Sequence, residues 1–497
     1  MPPAVRPPPP VHALVTLAPG ADPAVLGPVR ELLFAGGATW LVTLHRDEQV
    51  ADLRARRGVV AVESDRARRR LGSNDPMLPA QTHLAQIHWT PQLGVRRPVV
   101  AVLDTGADGR SPDLRGAIRF DLARSFVDDA PLTDRSGHGT HVAGLIAATT
   151  GNGIGVAGVA NARLMIVKIA DSQGRASTST LVRGIRAAVA AGAKIINVSF
   201  GGTGFSPLEQ NAILDARRAG VLVIAAAGNS GQAGNAAAYP GAYRHVLTVA
   251  ATRTDGQAIV ESTRGAQVGL AAPGNRILST APRGGFARRT GTSMATAIVS
   301  GAAARLLARR PTLDVSQLRS ILISSAVDIG APGRDDATGW GRVDLAAALA
   351  TAPPVKDGPE PNDDAVQAQR WPELLPGLTA GETAVDATLE QYADGKDDYR
   401  IKMAVGDTLQ IDVTGSGGSD LDLVVWRPKA PAFVSGPEYA RDWLAATALG
   451  PGTTETLRYT ATEAGVHSVE VQAAAGRGAY HVTIRRIAAA PPPPPAS

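Results

Sequence analysis

Apolar and polar positions along the chain fall into three regimes separated by proline-rich or polar segments. Between residues 11 and 66 the order HALVTL, DPAVLGPVRELLFAGG, TWLVTLH, DEQVADLRARRG and VVAVES reads as strand, helix, strand, helix, strand, a small α/β unit. From about residue 98 short β-branched runs (PVVAVL, RLMIVKI, KIINVSF, VLVIAAA) alternate with helical stretches (HVAGLIAA, STLVRGIRAAVAAG, SPLEQNAILDARRAG). Strands apolar at every position are buried on both faces, so this pattern predicts an α/β fold, a parallel sheet with helices on both sides. HVLTVAA and QVGLAAP extend the sheet, and long helices are expected around 293–310 and 315–326. After TAPPVKDGPEPNDD a period of two takes over in YRIKMAV, DTLQIDV, DLDLVVW, ETLRYTA, VHSVEVQ and YHVTIRR, which predicts a small antiparallel β-sandwich.

The expected organisation is a proline-rich tail at 1–10, the first unit at 11–72, the main domain at 73–350, a linker at 351–359, the sandwich at 360–486 and a second proline-rich tail at 487–497. RARRR at 66–70 is a basic, cleavable-looking stretch at the first boundary. A chain of 497 residues is too long for one core. The net charge of +5 is spread along the chain instead of forming a basic stripe, so no nucleic-acid partner is expected. With no cysteine, disulfides, a thiol nucleophile and cysteine-bound zinc are excluded. No apolar run reaches membrane-spanning length, and MPPAVRPPPP lacks the apolar stretch of an export signal.

Candidate chemistry lies in the main domain. A hydroxyl nucleophile needs an adjacent base, an acid to orient that base, and donors for the oxyanion. Asp104 ends the buried strand in AVLDTGAD, where the carboxyl edge of a parallel sheet opens into a crevice. His138 stands between glycines in SGHGTHVAG, and Ser293 opens an apolar helix in GTSMATA, where free N–H groups favour negative charge. Taken singly, such an Asp reads as a turn or cap and such a Ser as an N-cap. Together, the order Asp, His, Ser is that of subtilisin and differs from the Ser, Asp, His order of α/β-hydrolases; GTSMA is not a G-x-S-x-G elbow either, which argues against an esterase or lipase.

Through AVLDTGAD, GHGTHVAG, AAAGNSG and GTSMA in this order, residues 73–350 resemble the subtilisin-like serine proteases. The resemblance implies a serine endopeptidase with Asp104, His138 and Ser293 as triad and Asn229 in the oxyanion hole. Ser199 and Gly201 would pair with the substrate backbone, with Gly174 and Ala176 on its other side. Ala226, Ala227, Gly228 and Ala238 would line a small, uncharged pocket that favours large apolar residues before the cut bond. The family's calcium site maps onto Asp75, Asp113, Asn152 and the carbonyls of Ile154 and Val156. One departure is that Thr296, Ala297 and Ile298 stand where the family has Ser-Pro-His. Residues 11–66 resemble the family's inhibitory propeptide, which implies a self-processing zymogen inhibited by its own N-terminal unit. Residues 360–486 resemble a bacterial pre-peptidase C-terminal domain. Secretion is expected from these flanking modules, a cytoplasmic enzyme being the alternative; for function, the alternative is an inactive subtilase-like binding protein.

Overall fold

The computed structural model describes residues 11–27, 30–32, 39–44, 50–64, 74–92, 96–354, 382–390, 396–416, 419–428, 430 and 443–487. The two proline-rich tails, the RARRR stretch, most of the linker and the start of the expected sandwich domain lie outside the described residues.

The described residues of the N-terminal unit, within 11–64, form a compact body of their own. Strands β1 (Val11–Leu17), β2 (Arg30–Leu32), β3 (Thr39–Leu44) and β4 (Val59–Ser64) form an antiparallel sheet in the order β2-β3-β1-β4, with helix α1 (Val50–Arg54) before β4. Ala13, Val15 and Leu17 alternate onto its buried face and meet Leu26, Val42, Leu44, Leu53 and Val62. The helix expected over 22–37 is corrected here: Pro23–Leu26 makes one 3-10 turn and the chain then enters β2. Asp22 caps the turn, but Gly27 sits at φ 86° and is followed by proline, a pair that stops a helix before its second turn.

In the main domain, β5 (Val99–Asp104), β6 (Arg124–Ser125), β7 (Arg163–Lys168), β8 (Ile195–Val198), β9 (Leu222–Ala226), β10 (Val246–Thr252) and β11 (Val268–Pro273) build a seven-stranded parallel sheet in the order β11-β10-β9-β8-β5-β7-β6. Strand alternation decides which layer each side chain joins. Val100 and Val102 of β5, with Ile224 and Val249, pack against α3 (His138–Ala147), α6 (Thr292–Arg309), α7 (Val315–Ser324) and α8 (Leu345–Ala350). Ala101 and Leu103, with Met165 and Val223, face α4 (Thr178–Ala190) and α5 (Pro207–Arg218). A short helix α2 (Thr82–Gln86) and the antiparallel pair β12 (Ile277–Ala281) and β13 (Gly285–Arg289) complete the domain.

The C-terminal region folds into two four-stranded antiparallel sheets. One has the order β14 (Glu382–Glu390), β21 (Arg477–Ile487), β16 (Thr408–Gly415), β19 (Thr454–Thr460); the other is β15 (Lys396–Met403), β20 (Gly465–Ala475), β17 (Asp420–Trp426), β18 (Leu444–Ala448). Leu409, Ile411 and Val413 of the first sheet and Leu421, Leu423 and Val425 of the second share one core, the expected sandwich.

Candidate active site

Three elements of the parallel domain converge. Asp104 is the last residue of β5 and is wholly buried. Its Oδ1 accepts the Thr105 backbone N–H at 2.7 Å and lies 2.8 Å from His138 Nδ1. His138 opens α3 from Gly137, whose φ of 72° only glycine adopts without strain. The approach is tight: a Cβ at Gly139 would lie 2.0 Å from the Gly106 carbonyl. Burial pushes the imidazole pKa down, but the charge and hydrogen bond of Asp104 more than offset this, and with Asp134 and against Arg289 the net shift is upward. Since a general base must be neutral, activity should be lost as pH falls through a value above the ordinary 6.5 of histidine. The pH profile of kcat/KM checks this.

Ser293 is the second residue of α6, a helix that starts at Gly291 without a side-chain cap, so the Ser293 N–H has no partner within the helix. Ser293 Oγ donates to the Ser199 carbonyl at 3.3 Å and makes no hydrogen bond to His138 among the described residues. Phe200, the next residue, packs edge-on against the His138 ring at 5.7 Å, so serine and imidazole flank the same short segment. Catalytic serine–histidine bonds commonly tighten only with substrate bound. Asn229 Oδ1 accepts the Thr292 N–H at 3.1 Å and the Thr292 hydroxyl at 3.2 Å, which leaves its Nδ2 as a donor beside the start of α6. Thr296, Ala297 and Ile298 are buried, Thr296 Oγ1 donates to the Thr292 carbonyl, and α6 runs on to Arg309 without a break.

Ser199 is held from behind: Ser300 donates to Asn197, which donates to Ser199 Oγ. Gly201, Gly228 and Ala238 gather, since a Cβ on Gly201 or Gly228 would lie 3.2 or 3.0 Å from the Ala238 methyl. Ala226 is buried at the end of β9. Ala227 behaves differently: its methyl packs with Ala250, Val268 and Ala271, so only its backbone is available to a pocket. Gly174 and Ala176 lie in the turn after β7, where Ala170 pairs with Ala176 and Ala176 is exposed.

The proposed calcium residues also come together. Asp75 accepts the Gly151 and Asn152 N–H groups. Asp113 accepts Asn152 Nδ2 at 2.9 Å and the Val156 N–H at 2.9 Å, while Asn152 Oδ1 accepts the Ile154 N–H. Among the described residues no group of three or more His, Cys, Asp or Glu side chains converges as a metal site.

The sequence profile of the Subtilase family matches residues 96–341. Subtilisin E of Bacillus subtilis is 36% identical over 289 residues, 57% of this chain and 74% of that protein. Subtilisin DY of Bacillus licheniformis is 39% identical over 236 residues, 46% of this chain and 84% of that protein. The chain belongs to the subtilase family, and with it to the subtilisin-like serine endopeptidases. The cell wall-associated protease of Bacillus subtilis is 36% identical over 279 residues, 51% of this chain, but the match spans only 31% of that longer protein.

Two residues of this subtilase that carry no motif signature support the site. Asp134 is buried and accepts the Thr105 hydroxyl, the Gly137 and Thr140 N–H groups and the Thr140 hydroxyl, tying the Asp104 turn to the His138 loop. Lys168, beside Asp104 in the sheet and wholly buried, donates to the Thr105 carbonyl at 2.6 Å and the Thr133 carbonyl at 3.0 Å. A lone lysine ending the apolar run RLMIVK was a usable signal; Asp134 offered only its position four residues before the histidine.

Proposed function

We propose that this subtilase cleaves internal peptide bonds through an acyl-enzyme on Ser293. The observation that carries the reading is Asp104 bonded to His138 Nδ1 at 2.8 Å beside a helix start that presents Ser293 and the anchored Asn229. Ser293 Oγ turns from the Ser199 carbonyl and gives its proton to His138 Nε2 as it attacks the peptide carbonyl. Asp104 holds the proton on Nδ1 and stabilises the imidazolium. The oxyanion takes the Asn229 Nδ2 and Ser293 N–H donors. His138 then protonates the departing amine, and water repeats the sequence to release the acyl group. The freed Ser199 carbonyl and Gly201 accept the substrate backbone as an added strand, with Gly174 and Ala176 opposite. The small walls at Ala226, Gly228 and Ala238 favour large apolar residues before the cut bond. A peptide library should be cut internally after such residues; strict preference there for Lys, Arg or Asp would contradict the pocket, and no cleavage of any peptide would contradict the activity.

The N-terminal unit is read as an inhibitor removed by self-cleavage between 65 and 75, supported by its being a separate compact body. The sandwich is read as a pre-peptidase C-terminal domain, and action outside the cytoplasm goes with both modules. Among the described residues no helix is long and apolar enough to cross a membrane.

Calcium fits the loop in kind. Two carboxylates, one amide oxygen and two backbone carbonyls are hard oxygen donors, and calcium bound to Asp75, Asp113, Asn152, Ile154 and Val156 would supply the positive charge that two neighbouring carboxylates lack. Burial raises the Asp113 carboxyl to about 6 from its ordinary 3.8; hydrogen bonds from Val156 and Asn152 oppose this and the Asp75 charge adds to it. A raised carboxyl contributes stability at low pH that is lost as pH climbs from 3.8 towards 6. In chelator, therefore, the Ser293→Ala protein should lose stability across that window. At neutral pH, calcium at a hundredfold excess over Kd should restore about 2.7 kcal/mol. Melting curves with and without calcium check this; identical midpoints at pH 7 would contradict the site.

A further inference from the structure

An open cleft of about 1430 Å3 runs beside the His138 loop, with Asp108, Arg110, Phe120, Asp134, Arg135 and Arg283 in its lining. Contacts of the His138 ring and of the loop that precedes it give the cleft its place along a bound substrate. Phe200, in the segment proposed to hold the acyl half, packs edge-on against the His138 ring. In the loop before it, Arg289 donates to the Ser136 carbonyl at 2.8 Å, and a Cβ on Gly137 would lie 2.9 Å from Cδ of Pro282, a residue of the cleft. His138 hands its proton to the departing amine, so the residues after the cut bond leave across the imidazole, away from residues 199–201 and towards the cleft.

The exposed charge of this cleft is positive. Arg110, Arg135 and Arg283 are exposed. Neither Arg110 nor Arg283 pairs with a carboxylate among the described residues, and Arg135 approaches Asp129 only at 3.8 Å. The two carboxylates in the lining are turned to structural work. Asp108 accepts the backbone N–H groups of Arg110 at 2.9 Å and Arg283 at 2.7 Å, and buried Asp134 accepts four donors from the catalytic loops. Half-buried Arg289, outside the lining, is close enough to oppose the protonation of His138.

We propose that this cleft selects acidic side chains at the two positions following the cut bond, so that the preferred substrates are proteins carrying Asp or Glu there. The proposal rests on the endopeptidase reading. A guanidinium matches a carboxylate in geometry as well as charge and can bind it through two parallel N–H donors, whereas a lysine entering the same cleft meets three exposed guanidinium groups and two carboxylates already engaged by other donors. Each exposed pair changes an equilibrium by about two- to fivefold, so two such pairs give a preference of about tenfold.

The test uses the enzyme expressed from the whole chain and allowed to process itself, with quenched fluorescent peptides that share one acyl-side sequence and carry Glu-Glu, Gln-Gln or Lys-Lys after the cut bond. The Glu-Glu peptide should exceed the Lys-Lys peptide in kcat/KM by about tenfold at low salt, with the ratio shrinking towards one in molar salt, where screening acts within about 3 Å. In Arg135→Glu/Arg283→Glu the ratio should fall below one; because it is taken within one protein, a general loss of activity cancels. Equal or faster cleavage of the Lys-Lys peptide by the wild type, or an unchanged ratio in the double variant, would overturn the proposal while leaving the endopeptidase reading standing. No cleavage of these peptides or of a denatured protein would overturn both.

Discussion

Ser293→Ala should lower peptide turnover by about a millionfold, the loss that subtilisin, a relative of this chain, shows when its own nucleophile is removed. The magnitude follows from the arrangement at the start of α6. Without the hydroxyl, His138 has no proton to take, and the oxyanion donors have no tetrahedral adduct to stabilise. Residues 292–307 of α6 are buried, and the exchange of serine for alanine at 293 removes one oxygen whose bonding partner is the Ser199 carbonyl at 3.3 Å, so the fold should persist. The same variant should keep residues 11–72 attached, because the cut between 65 and 75 would have no catalyst. Turnover and intact mass check the two consequences separately. A serine variant that matures without added protease would assign the processing to another enzyme.

Asn229→Ala should reduce kcat by about a hundred- to a thousandfold with KM nearly unchanged, the range that subtilisin's own oxyanion asparagine sets. Its amide nitrogen gains a partner only as the oxyanion develops, so its loss falls on the transition state and spares ground-state binding. Alanine also removes the Oδ1 that accepts from Thr292, which would loosen the start of α6. Asn229→Asp separates the two effects, since the aspartate keeps an acceptor for Thr292 but has no N–H for the oxyanion. It should melt near the wild type and be at least as inactive as the alanine variant. Turnover near wild type in either protein would remove Asn229 from the mechanism.

Much of the main domain was legible because its strands are apolar at every position and its helices have a clear period. Val100 and Val102 face one helical layer, Ala101 and Leu103 the other, and an uninterrupted apolar run announces both. The pairing of Asp104 with His138 is legible only from the motifs taken together, since the end of a buried strand and a glycine-flanked helix start each read alone as a turn or cap. The supporting residues are harder to read. Lys168 acts through the backbone carbonyls of residues 105 and 133, and Asp134 through backbone N–H groups of residues 137 and 140 as well as the Thr105 and Thr140 hydroxyls, a mixed set that no single side-chain pattern specifies. The methyl of Ala227, the residue after β9, packs with Ala250, Val268 and Ala271, which leaves its backbone for the pocket that the resemblance implies. The helix expected over 22–37 failed because its apolar spacing outweighed Gly27 and the following proline in the reading, although the backbone obeys the latter. Strands β14 and β18 were unread because their sequences, ETAVDATLE and LAATA, carry mostly small or polar residues and take their place from pairing with β21 and β17.

Whether Ser293 is an activated nucleophile is decided by covalent labelling of the processed enzyme with a fluorophosphonate, followed by peptide mapping. One label per chain is expected, on Ser293, with peptidase activity lost in proportion to labelling and no label in Asp104→Asn or His138→Ala on the same timescale. A label on any other residue, or full peptidase activity in protein fully labelled at Ser293, would contradict that role.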